Sequence, residues 1–122
     1  MRSALLLGTA AVVVLAYGLP LALCPLRWAR VIGWAVPDDV RLTRYFGRSL
    51  GALVVAMSAI VAYAALHPAL ERLGAGVTAL GLVLAALPHF VGMVERSQPR
   101  FETIEGFVFF ALGCGFGWLA LA

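Results

Sequence analysis

Charge is missing from four long stretches of this chain, and that absence limits the fold more than any motif does. No Asp, Glu, Lys or Arg lies between Ser3 and Leu26, between Ser49 and Leu70, between Leu73 and Val94, or from Gly106 to Ala122. An uncharged apolar run of about 18 residues or more is what a helix needs to cross the hydrocarbon core of a bilayer. A soluble domain of 122 residues also needs more polar cover than 12% charged residues provide against 63% hydrophobic ones. The expected fold is therefore all-α: an integral membrane four-helix bundle forming a single transmembrane domain over residues 1–122.

Turn and cap signals divide the chain. Helix one is expected over about 3–24 and helix two over about 39–66, with Asp39 as a candidate N-cap. Helix three is expected over about 73–94, with Pro88 as a kink, and helix four over about 101–121. The segment at about 25–36 mixes Arg27 and Arg30 with Trp28 and Trp34. It is expected to lie amphipathically in the interface, rings at headgroup level and arginines turned outward. Short connections at His67-Pro68 and Ser97-Gln98-Pro99 imply that helices two, three and four are antiparallel neighbours. Met1-Arg2 and the apolar run behind it resemble a secretory signal, but the run continues to Leu23 and is read as a retained first helix.

The net charge of +3 comes from nine arginines and no lysine. They flank apolar runs, which points to lipid headgroups and topology rather than nucleic acid. Seven of them (Arg27, Arg30, Arg41, Arg44, Arg48, Arg96 and Arg100) fall on one side, against Arg2 and Arg72 on the other. The expected location is a bacterial cytoplasmic membrane, with the arginine-rich side inside and both termini outside. Cys24 and Cys114 would lie near opposite faces, so they are read as unpaired packing residues. Gly47 with Gly51, and Gly106 with Gly113 and Gly117, mark close helix approach, either within the bundle or between copies.

Polar residues collect near the arginine-rich side. Tyr17, Arg48, His89 and Glu105 fall at one depth on faces that also carry small residues, so an inward cluster is expected. Arg44 and Glu102, with Arg41 and Arg96, are placed nearer the headgroups. As a binding site the set would be Arg48, His89, Glu105, Tyr17, Arg44 and Glu102, with Phe90, Phe109 and Phe110 lining an apolar pocket. His89, Glu105 and Tyr17 are the candidates for any catalytic role. The plainer alternative is that Arg48, His89 and Glu105 neutralise one another and merely fix helix register.

Sharper chemistries find no pattern. No two histidines share a depth for bis-histidine haem, and no HExxH or other close ligand spacing supports a metal, so neither metal nor cofactor is expected. A phosphate loop and a Ser-His-Asp set are also missing.

Tyr17-Gly18-Leu19-Pro20 leading to Pro25, an amphipathic connector, and Arg44-Tyr45-Phe46-Gly47-Arg48-Ser49-Leu50-Gly51 opening helix two resemble small bacterial DoxX-like four-helix membrane proteins. The resemblance covers most of the chain as architecture. Many members of that group have no assigned function and some resemble accessory subunits of membrane oxidoreductases, so the resemblance implies the architecture alone and supplies no catalytic residue. Three expectations follow. The first is a non-enzymatic accessory, assembly or homo-oligomeric membrane component, with membrane lipids and a second subunit as partners. The second is a site that binds or converts a small lipid-like molecule, and the third a proton-coupled transporter.

Overall fold

Each uncharged run is mostly helical in the computed structural model, which describes all 122 residues. Five helices form: α1 (Arg2–Leu23), α2 (Pro25–Val31), α3 (Arg41–Ala65), α4 (Glu71–Glu95) and α5 (Arg100–Leu121). No strand is present. α1, α3, α4 and α5 are each long and apolar enough to cross a membrane. The shorter pair, α1 and α5, has 22 residues each. At a rise of about 1.5 Å per residue that is roughly 33 Å, against about 30 Å of hydrocarbon.

Local chemistry sets the breaks. Pro20 has no N–H to give the Ala16 carbonyl, and its ring crowds that oxygen. The helix relaxes there into a π-turn over Val14–Gly18. The freed carbonyl of Ala16 accepts the indole Nε1–H of Trp28 at 2.8 Å, which folds α2 back against α1. Asp39 accepts the backbone N–H of Arg41 at 3.1 Å at the start of α3. α4 ends in a Schellman arrangement: Arg96 turns left-handed at φ 54°, and Ser97 N–H returns to the Gly92 carbonyl at 3.0 Å.

Glycines decide which helices touch. Gly51 lies against the backbone of Ala22 and Gly18, while Gly18 faces Val55 and Gly47 faces Pro25. α1 and α3 are therefore an antiparallel pair in backbone contact. In the same way Gly106 meets His89 and Gly113 meets Val83, zipping α4 to α5. These glycine faces pack within the chain, the first of the two readings of their spacing.

The pairing also corrects one expectation. α3 runs along α1 rather than α4, and it meets α4 chiefly near their connecting turn, where Gly74 faces Ala64. Beyond that turn α3 and α4 diverge. The apolar core fills the half of the bundle away from the seven clustered arginines, with Leu6, Ala10, Val61, Ala65, Ala75 and Phe116 packed together. Around it the outer surface is apolar too, exposing Leu15, Leu53, Ile60, Leu73, Leu80 and Phe107. A surface of that kind is normally covered by lipid or by another apolar protein face. Cys24 and Cys114 are unpaired as expected, but both are exposed on this surface rather than packed inside.

Candidate functional site: a polar seam under a cavity

The π-turn in α1 presents Tyr17 toward α5, where its hydroxyl donates to Glu105 Oε1. Such turns recur at functional positions because they redirect one side chain without ending the helix. One turn before Glu105, Glu102 pairs through Oε2 with His89 Nδ1 of α4 at 3.0 Å. Both glutamates are buried, Glu102 to 7% and Glu105 to 6% exposure. His89 is seated by Gly106, since a side chain there would collide with its Cβ. Phe109 closes the group, edge-on to both Tyr17 (5.9 Å between ring centres) and His89 (5.5 Å).

Two further residues complete the seam, and both come from connecting segments. Trp34 follows α2, and its Nε1–H donates to Glu102 Oε1 at 2.7 Å. The connector reaches α5 because Gly33 turns at φ 97° and rests on Pro99. Gln98 donates to the backbone carbonyl of His89 at 2.7 Å and to Thr103 Oγ1 at 3.0 Å, tying the end of α4 to the start of α5. Helical periodicity assigns depth and face only inside helices, so it gave no signal for either residue. Both indoles of the interfacial segment therefore donate inward, whereas Arg27 and Arg30 are exposed as expected.

Above the seam lies a cavity of about 510 Å³ between the α1–α3 and α4–α5 pairs. Tyr17, His89, Glu102 and Glu105 form its polar end beside Phe109; elsewhere the lining is mostly apolar, from Val13, Leu21, Val54 and Leu82 among others, with Thr9, Ser58 and Thr78 between them. Its α1 wall is deep, whereas Leu50, Leu53 and Met57 of α3 and Gly81 and Pro88 of α4 are exposed. The mouth therefore lies where α3 and α4 part, on the apolar outer surface of the bundle. Volumes of about 300–1,000 Å³ with a few convergent polar groups are typical of small-molecule sites.

Of the residues expected at one depth, Tyr17, His89 and Glu105 come together and Arg48 does not. Arg48 is exposed and shares a shallow depression of about 410 Å³ with Arg41, Arg44, Tyr45 and Ser49. The reason lies in α3's buried face. Gly47 turns toward Pro25 of α2 and Gly51 toward α1, and the arginines on the neighbouring stripe are left exposed. The ion pair expected of Arg48 with Glu105 is absent, and Arg44 is likewise remote from the seam. Glu102, expected near the headgroups, is instead buried beside His89. Phe109 lines the cavity, but Phe90 stacks on Phe107 and Phe110 outside it.

Sequence spacing gave no metal pattern because it sees one helix at a time. Across the α4–α5 hairpin, one ligand atom each from His89, Glu102 and Glu105 lies within 4.8 Å of the other two. No family model, characterised protein or solved structure matches the chain.

Proposed function

We propose that this is a multi-pass protein of a bacterial cytoplasmic membrane that takes a small apolar molecule from the bilayer between α3 and α4. The molecule's polar end is held at Tyr17, His89, Glu102 and Glu105. One observation carries this reading: an apolar cavity ends on those four side chains and opens through the exposed residues of α3 and α4. The polar end offers carboxylates, an imidazole and a phenol, with no arginine. An anionic head would meet repulsion there, so the ligand class is neutral or cationic with hydrogen-bonding capacity. His89 and Glu105 are also groups able to move a proton on a bound molecule, which is the enzymatic form of the same site.

An accessory subunit with a closed, ion-paired interior is less well supported, because the interior is open and Arg48 is not on Glu105. The DoxX-like resemblance adds architecture to this proposal and nothing about the ligand. Orientation rests on the seven arginines at the seam end, which put that end in the cytoplasm and both termini outside.

The test uses an alkyl diazirine alcohol and the full chain in lipid nanodiscs. Photolysis is expected to label cavity residues such as Met57 and Leu82. Gly81→Leu should reduce that labelling at least tenfold, because no atom lies within 4 Å of a Cβ at this position and the added side chain has room at the mouth. Labelling spread evenly over the outer surface and indifferent to Gly81→Leu would remove the proposal.

A further inference from the structure

We infer that His89, Glu102 and Glu105 bind one divalent transition-metal ion at the polar end of the cavity. The inference rests on the reading of this cavity as a ligand site, and within that reading it selects a neutral head with a lone pair to offer the ion over a cationic one. The first argument is geometric. His89 Nδ1 and Glu102 Oε2 are 3.0 Å apart. That matches the edge of an octahedral coordination shell whose bonds are about 2.1 Å long. The third ligand atom, from Glu105, lies within 4.8 Å of the other two, so a modest side-chain rotation closes the set.

The second argument is how the carboxylates are held. Each glutamate has its Oε1 tied by an aromatic donor, Trp34 Nε1–H for Glu102 and the Tyr17 hydroxyl for Glu105. That leaves Oε2 of Glu105 without a hydrogen bond and Oε2 of Glu102 on His89 alone. Outer donors fixing one oxygen while the other faces a shared centre are the usual support for ligating carboxylates.

The third argument is charge. Two carboxylates sit inside an apolar bundle, and their one ionic partner is a histidine, because the chain's arginines lie elsewhere. Unbalanced charge in a membrane interior is costly, and a dication offsets both carboxylates at once. One imidazole with two carboxylates is a nitrogen–oxygen donor set, suited to Zn²⁺, Fe²⁺, Mn²⁺ or Co²⁺ rather than to Cu⁺. Three protein ligands from two rigid helices leave the remaining positions turned to the cavity, as in metal sites that bind small molecules.

The untagged full chain, purified in detergent and dialysed against a chelator, is titrated with Co²⁺ alone. The expected result is one Co²⁺ per chain, with visible absorption of a nitrogen–oxygen site and displacement by Zn²⁺. Affinity should fall at least 100-fold in His89→Ala and in Glu102→Gln. Glu71→Gln, at the opposite end of α4, should bind as the wild type does, and circular dichroism identifies any variant that fails to fold. Absence of saturable binding up to millimolar Co²⁺, or equal binding by wild type and well-folded His89→Ala, overturns the inference. Diazirine labelling of the chelator-treated protein separates the two readings. Labelling without Co²⁺ binding sinks the metal and keeps the cavity site, whereas Co²⁺ binding without labelling does the reverse.

Discussion

Trp34 belongs to a segment without regular structure, yet it holds one oxygen of Glu102 while His89 holds the other. Removing that donor leaves a buried carboxylate oxygen without its partner, and hydrogen bonds to charged groups contribute about 1.5–3 kcal/mol. Trp34→Phe keeps the ring and loses the N–H, so it should destabilise the folded chain by about 2 kcal/mol, read from denaturant unfolding in micelles. Trp28→Phe, which frees only a neutral carbonyl, should cost about half as much. An equal effect of the two would mean that ring packing, not the hydrogen bond, is what matters at Trp34. The contrast between Trp34 and Arg48 also shows what one residue's sequence position conveys. Tyr17, His89 and Glu105 were legible because each lies inside a helix on a face marked by small residues. Arg48 was misplaced because its stripe on α3 lies beside the glycine stripe, and a difference of one stripe turns a side chain outward. Trp34 was invisible because a connector has no periodicity from which to read direction.

Each membrane-length helix was legible to within two residues at either end, since loss of charge and the Pro and Asp signals coincide with the real breaks. Pairing was not. A glycine face announces that some backbone comes close, but it does not say which one. The structure gives α3's face to α1 and α5's to α4. That assignment yields a sharp contrast within one protein. At Gly51 an added Cβ runs into the backbone of Ala22, which cannot rotate away, whereas at Gly8 it meets nothing within 4 Å. Gly51→Ala should therefore destabilise by about 1–3 kcal/mol through forced separation of α1 from α3. Gly8→Ala should be neutral, or stabilising by about 0.5–1 kcal/mol through helix propensity. Steric-trapping measurements in bicelles would give both values. Similar losses at the two positions would contradict the α1–α3 contact.

At the scale of the molecule, two tight helix pairs joined at one end and parted at the other account for both the core and the cavity. The exposed thiols report on its placement. Cys24 sits where α1 meets the arginine-rich end, and Cys114 lies within α5's apolar surface. With that end in the cytoplasm, a membrane-impermeant maleimide should label Cys24 in inside-out vesicles and spare it in intact cells, leaving Cys114 unmodified in both. The opposite pattern at Cys24 would reverse the orientation. The parting of α3 from α4 has a consequence for supply as well. Leu50, Leu53 and Pro88 line the mouth toward the seven-arginine end, Met57 and Gly81 line it near mid-depth, and the far end is closed by packing around Leu6 and Phe116. A solute dissolved in the monolayer on the arginine side meets the mouth directly. One confined to the other monolayer must first flip across the bilayer. On the proposed reading the bundle samples one leaflet, and the flip-flop rate of its guest, rather than its overall abundance in the membrane, would set how often the seam is visited.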